Sequence, residues 1–561
     1  MIIQPIIDLV ALCAKKGIKN AVLSPGSRCA PITLAFARHP DIHSRTISDE
    51  RAAAFVALGM AQQLEKPVVL VCTSGSAAYN YAPAIAEAYF QQIPLLVLTA
   101  DRPPEWIDQW DGQTIRQSEI YGKHIKGFYQ FPDEFGHPDK IWHANRLANE
   151  AINLANQYPA GPVHINIPLR EPFYPETGEN FVFNKEVRCI DHLQTNGQLS
   201  QESKQKLEGS LANFKKILII AGQQKPNPKI QQTIDQIGEK GLALVVTDSI
   251  SNLQSESTIN WHDHFIGNTS INGELEPDLI ISFGKSIISK GLKLFLRKSK
   301  AVHWHIQPEG YSPDTFQSLA KVITCQPISF LNFFQERGKS DLDYVKRWLN
   351  LENKVKNSLY SVLENAAFGE YKAVATCLKH IPSQSKLHLA NSMAVRYVNL
   401  LGPRKQEIIC NRGTSGIDGS NSTAVGCAFT TKDPVTLITG DMAFFYDRNA
   451  FWHNYPMNNL RIILLNNHAG GIFRLIDGPA KQPELEEFFE TRQRLSAGYL
   501  AKDFGFEYHF ANDERSLEVG LKDFYAKSIH PKILEIETKS SQNAEILKWV
   551  KGKVTEYLLD A

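Results

Sequence analysis

Asp441 and Asn467 stand 26 positions apart, each at the polar end of an apolar run. The first run ends in Gly440-Asp441; the second, Arg461-Ile-Ile-Leu-Leu465, ends in Asn466-Asn467. Both side chains offer hard oxygen, and Ala469, in the Gly-rich turn that follows, adds a backbone carbonyl. Three protein oxygens with room for waters and phosphate oxygens suit Mg²⁺ held through a bound diphosphate. A lone Gly-Asp is most often a turn and a lone Asn-Asn most often a loop. The pair, each member at a strand end, is what points to a ligand.

Strands must put them there. The two apolar runs flank a helix-like segment, so 438–473 reads as a βαβ unit, and ligands of open parallel sheets bind beyond the carboxyl ends of the strands. The stretch resembles the diphosphate motif of thiamine-diphosphate (ThDP) enzymes, with Met442 where many members have a third small residue. ThDP chemistry also needs a carboxylic acid, shielded from water, to hydrogen-bond the aminopyrimidine ring. Glu50 is the candidate, in Ser48-Asp49-Glu50-Arg51-Ala-Ala-Ala-Phe55, where small residues let a helix pack closely. The plainer reading is that Asp49 and Glu50 enrich a helix N-terminus.

The rest of the chain supplies the frame. Its 561 residues exceed a single core. Residues 1–180 alternate strand-like and helix-like runs, with polar loops after Leu23, Cys72 and Thr99; 190–345 form a second α/β unit and 355–561 a third. This predicts an α/β protein of three doubly wound parallel sheets. The loop after Ile220-Ala221 is Gly-Gln-Gln-Lys-Pro, which does not support NAD or FAD binding there. Residues 175–210 read as a linker, and 335–385 carry a long charged helical pattern between domains. The first and third units share a strand-loop-helix layout.

Composition excludes several classes. The formal net charge is +1, which gives no global argument for nucleic acid or membrane. No uncharged apolar run reaches the roughly 18 residues of a membrane helix. The eight cysteines form no Cys-x-x-Cys pair, which speaks against a thiolate zinc site and for reduced thiols. The N-terminus lacks a basic n-region, so a cytoplasmic protein without signal peptide is expected.

Nine ordered stretches sharpen the reading: SPGSRCAPITLAFARHP, SDERAAAFVALGMA, TSGSAAYNYAPAIAEA, PLLVLTADRPPE, GQTIRQ, GPVHINIPLREP, NSMAVR, NRGTSGIDGSNSTAVG and the 438–473 stretch itself. Together they resemble the MenD family, the 2-succinyl-5-enolpyruvyl-6-hydroxy-3-cyclohexene-1-carboxylate synthases of menaquinone biosynthesis. The likeness covers the first and third units and is weaker between them.

The resemblance implies a pyrimidine-binding, a central and a diphosphate-binding domain. It also implies ThDP and Mg²⁺ (or Mn²⁺) held between two chains of a homodimer or tetramer. Glu50 would come from one chain and the metal ligands Asp441, Asn467 and Ala469 from its partner. Gly440, Met442, Gly470 and Ile472 would line the cofactor, and Ile417 would prop its bent form. The family condenses 2-oxoglutarate with isochorismate with loss of CO₂. Carboxylate substrates call for cations, and arginine's fork suits them. Arg28, Arg102, Arg396 and Arg412 match the family's substrate arginines, with Ser27, Gln113, Ser392, Lys290 and Phe473 beside them.

Two departures stand out. Gly112 replaces an Asn that often precedes the Gln at 113, and Phe488–Arg494 differs from the Thr-Pro-His-like run often found there. The alternative is another ThDP carboligase or decarboxylase, such as an acetolactate synthase, which would carry FAD and would not need four converging arginines. A catalytically dead scaffold would not need Glu50, Asp441 and Asn467.

Overall fold

Short β-branched runs bounded by turns become the strands of three sheets, in a computed structural model that describes residues 3–193, 197–267 and 273–559. The first sheet holds β1 (Asn20–Leu23), β2 (His43–Thr46), β3 (Val68–Cys72), β4 (Leu95–Asp101), β5 (Phe128–Gln130) and β6 (Val163–Pro168), in the order β2-β1-β3-β4-β6-β5. The second holds β7 (Ile217–Ala221), β8 (Leu244–Thr247), β9 (Leu279–Phe283), β10 (Val302–Gln307) and β11 (Leu319–Thr324), in the order β11-β10-β9-β7-β8. The third holds β12 (Lys386–Leu389), β13 (Glu407–Ile409), β14 (Val435–Gly440), β15 (Leu460–Asn466), β16 (Glu507–Ala511) and β17 (Lys532–Glu537), in the order β13-β12-β14-β15-β17-β16.

Every pairing is parallel, as expected of strands alternating with helices. The first and third sheets have the same order when strands are numbered within each, so the shared layout extends to topology. In both, the order reverses direction beside the first strand, between β1 and β3 and between β12 and β14. Polar loops gather at those points.

The linker expected over 175–210, part of which (194–196) lies outside the described residues, divides in two. Phe181, Phe183 and Cys189 pack against the first domain's core, whereas 201–211 form a helix whose Leu207 and Leu211 join the central core. The charged pattern over 335–385 is two helices, Leu342–Glu364 and Glu370–His380.

β15 shows how the domains meet. Its alternate residues Ile463 and Leu465 belong to a core shared with the central domain, while Ile462 and Leu464 belong to one shared with the first. The third sheet thus lies between its neighbours, and period-two alternation along one strand assigns each face. All eight cysteines are free, and seven are buried.

Candidate active site

β14 and β15 are neighbours in register, Gly440 opposite Leu465. That register brings Asp441 and Asn467 to one edge of the sheet. Asp441 opens the short helix Asp441–Tyr446 and is 2% exposed. Its Oδ1 accepts the Met442 N–H at 2.8 Å, and its Oδ2 accepts the Gln493 side-chain amide at 2.8 Å. Burial pushes its pKa up to about 6, against the lowering effect of those hydrogen bonds. A buried carboxylate hydrogen-bonded by neutral amides keeps lone pairs for a cation.

Asn467 Oδ1 accepts the Ala469 N–H at 3.1 Å, and its amide donates to Glu370 Oε1 at 2.6 Å. Glu370 is buried, which raises its pKa to about 7. The Ala469 carbonyl accepts from Gly471 at 2.9 Å and retains a second lone pair.

This set fits a hard cation. It offers a carboxylate, an amide oxygen and a carbonyl oxygen. Among the described residues no cluster of three or more His, Cys, Asp or Glu would hold a metal instead. A Cβ on Gly440 would meet nothing within 4 Å, so the strand end faces open space in which a diphosphate has room. Gly470 is tighter: a Cβ there would press on Phe473 and the Glu490 carbonyl at 3.3–3.4 Å. Ile472 and Phe473 are half-buried, and the Phe473 ring lies 5.9 Å from Phe489.

Glu50 is the first residue of the helix Glu50–Leu64. The acidic pair divides its labour: Asp49 caps the helix, accepting the Ala52 N–H at 2.9 Å, and also accepts from Asn449 at 2.7 Å. Glu50 is half-buried, and its charge helps raise the pKa of Cys72 at the end of β3, after burial and Cys29. Arg51 donates to the Tyr446 carbonyl at 2.9 Å, at the far end of the helix that Asp441 opens. The small residues after Glu50 do allow close packing. A Cβ on Gly59 would run into the Thr423 backbone, and one on Gly426 into that of Val56. Gly419, at φ +73°, sits against the Phe55 ring.

The four arginines form two groups. In the first domain Arg28 is buried, donates to the Leu169 carbonyl at 2.7 Å and lies 4.8 Å over the Phe173 ring. Burial and then Arg102 lower its pKa. Arg102 pairs with Asp111 at 2.9 Å and donates to the Gly112 carbonyl at 2.8 Å. A Cβ on Gly112 would meet nothing within 4 Å, so the missing side chain leaves space. Ser27 and Gln113 are exposed, and Gln113 holds φ +55° beside Gly75.

In the third domain Arg412 donates to Asn391 Oδ1 at 2.9 Å, and Arg396 donates to the Ser392 carbonyl. Burial and then Arg412 lower the pKa of Arg396. Ser392 takes φ +71°, and Ile417 is 39% exposed on the loop that follows Arg412. Lys290 is exposed at the start of its helix. Lys293, one turn on, is the lysine whose pKa is lowered by burial and then by Arg412, with Arg396 also contributing.

Sequence reasoning did not single out Lys293, Asn391, Glu87 or Gln493. Asn391 ties the loop together, donating to the carbonyls of Asn411 at 2.7 Å and Gly416 at 2.8 Å; its signal was its place before Ser392 in the quoted NSMAVR. Glu87, fully buried in the first domain, accepts from Gly413 N at 2.8 Å and Thr414 N at 2.6 Å, so the first domain props the loop that carries Arg412. Nothing local in the sequence marks that contact.

Residues 8–120 match the N-terminal TPP binding domain of thiamine pyrophosphate enzymes, and residues 191–389 the middle domain of the same class. With three parallel sheets, the chain is a thiamine-diphosphate-dependent enzyme. It is 47% identical to 2-succinyl-5-enolpyruvyl-6-hydroxy-3-cyclohexene-1-carboxylate synthase of Cytophaga hutchinsonii, over 99% of this chain and 100% of the relative. It is 40% identical to the synthase of the same name from Christiangramia forsetii (96% and 97% covered) and 37% to that of Porphyromonas gingivalis (96% and 95%). The chain belongs to this synthase family of menaquinone biosynthesis and is a transferase-type synthase. Among the described residues no helix is long and apolar enough to cross a membrane.

Proposed function

We propose that the enzyme decarboxylates 2-oxoglutarate and adds the resulting succinyl unit to isochorismate, using ThDP and Mg²⁺, with Mn²⁺ an acceptable substitute. The observation that carries this reading is the buried Asp441 carboxylate at the strand-end edge shared with Asn467 and Ala469, a set of hard oxygens. Bound ThDP supplies the carbon nucleophile. Asp441, Asn467 and Ala469 hold the metal. Gly440, Met442, Gly470 and Ile472 line the cofactor, and Ile417 props it.

Glu50 provides the directed acid. It is only half-buried in one chain, which supports a site completed by a partner chain in a homodimer or tetramer. Arg28, Arg102, Arg396 and Arg412, with Ser27, Gln113, Lys290, Ser392 and Phe473, hold the substrate carboxylates and ring. The domain limits are 1–180, 190–345 and 355–561, and the compartment is the cytoplasm.

The test is an assay of purified protein with ThDP, Mg²⁺, 2-oxoglutarate and isochorismate. The expected result is isochorismate loss that requires all four components. Loss without 2-oxoglutarate, or no loss with every component present, overturns the reading.

A further inference from the structure

The segment Phe488–Arg494, one of the two departures from the family pattern, ends up against the strand ends. Gln493 donates its amide both to Asp441 Oδ2 at 2.8 Å and to Asn466 Oδ1 at 3.1 Å. Its own Oε1 accepts the Leu495 N–H, and its backbone N–H donates to the His468 carbonyl at 3.0 Å. The side chain thus bridges the last residue of β15 and the residue that follows β14, and its polar atoms are all engaged.

The segment is fastened on both sides of that bridge. The Gly470 N–H donates to the Glu490 carbonyl at 2.7 Å. The Glu490 carboxylate, fully buried, takes Arg474 at 2.7 and 2.8 Å. Thr491 adopts φ +50°, a conformation unusual for a β-branched residue, between the Glu490 anchor and Gln493.

We propose that Gln493 is a positioning residue of the metal–diphosphate site. One amide hydrogen fixes Asp441 Oδ2, so that the remaining lone pairs of the carboxylate would be held ready for a cation. The other hydrogen fixes the β15 end from which Asn467 and Ala469 continue. A carboxylate has about four lone-pair directions. Met442 and Gln493 take one each, which leaves lone-pair directions that would serve a metal without displacing the amide. The role rests on the assignment of Asp441, Asn467 and Ala469 as metal ligands.

The test is direct binding, without substrates. Gln493→Met keeps the side-chain length and removes the amide; Gln493→Ala removes both. Calorimetry with ThDP at fixed low Mg²⁺ should show affinity weakened roughly tenfold or more in each, the loss of one hydrogen bond to a charged group. Raising Mg²⁺ should restore it. Bound Mn²⁺, counted by electron paramagnetic resonance in the presence of ThDP, should show the same shift in half-saturation. Far-ultraviolet circular dichroism confirms the fold of each variant.

Unchanged affinity in the Met variant overturns the role. So does tighter binding, which would make Gln493 a plug that the metal displaces, and so does a weakened affinity that high Mg²⁺ fails to restore. Asp441→Ala serves as the separate arm. If it binds ThDP and Mn²⁺ like wild type, the metal assignment itself fails, whatever Gln493 does.

Discussion

Gly59 and Thr423 meet backbone to backbone: a Cβ on the glycine would fall inside the threonine carbonyl. The contact joins the helix that begins at Glu50 to the third-domain helix Ser420–Ala428. Gly59→Ala should therefore force the two apart. Overpacking of this kind costs about 1–3 kcal/mol, readable as a lower midpoint in urea. Activity should fall further than stability alone explains, because Glu50 rides on the displaced helix. An unchanged midpoint would show that the helices can part freely.

Glu50→Gln should nearly abolish turnover while leaving ThDP bound. The amide fills the same volume but cannot supply the acid proton. Calorimetry with ThDP and an isochorismate-loss assay on the same preparation check both halves. Near-wild-type turnover would remove Glu50 from the chemistry.

Asp441→Ala should weaken ThDP binding first, with partial rescue by high ThDP and Mg²⁺. The loss takes a carboxylate from the cation and leaves the diphosphate charge poorly compensated. Titrating ThDP at several Mg²⁺ concentrations separates that from a fold defect.

Single Ala variants of Arg28, Arg102, Arg396 and Arg412 should each lose roughly 2–5 kcal/mol of transition-state binding where the ion pair is desolvated, about 30-fold or more in kcat/KM. The structure divides them into two groups on two domains. One group should fail at 2-oxoglutarate decarboxylation, the other at capture of isochorismate. The two half-reactions are followed by CO₂ release without isochorismate and by isochorismate loss with it. Wild-type kinetics in all four would defeat the substrate assignment.

Glu352 offers a separate pH test. It is buried, accepts the Asn260 N–H at 2.6 Å and the Trp261 N–H at 3.1 Å, and burial raises its pKa to about 7. A carboxyl whose pKa is higher folded than unfolded stabilises fully below the unfolded value, and that contribution is lost as pH rises toward the folded value. The Glu352 contribution should therefore decline between about pH 4.5 and 7. Thermal midpoints across that range should fall less steeply in Glu352→Gln than in wild type. Equal slopes would mean that Glu352 is not the titrating group.

The sheets were legible because buried parallel strands are continuous apolar runs: β3, β4, β7, β9 and β15 lie within runs such as Val68-Val-Leu-Val-Cys72. The edge strands of the first sheet were not. β2 and β5 are three or four residues long and partly exposed, so they carry no comparable signal. The Asp441–Asn467 juxtaposition was readable because strand ends fix direction and register. Gln493 was not, since it reaches the site through an irregular segment with no periodicity. Lys293 carried no sequence signal, because a match to Ser-Lys at 289–290 says nothing of what lies one turn further along the helix.

The third sheet carries one neighbour's core on each face, and that has a consequence for how the molecule comes apart. Detaching either neighbour would lay bare alternate residues of β15, Ile462 and Leu464 on one side or Ile463 and Leu465 on the other. Neither loss can stay local, because the water-exposed face belongs to the same strands that hold the opposite one. Melting should therefore be a single cooperative event across all three domains, and a scanning calorimeter should record one peak rather than a staircase.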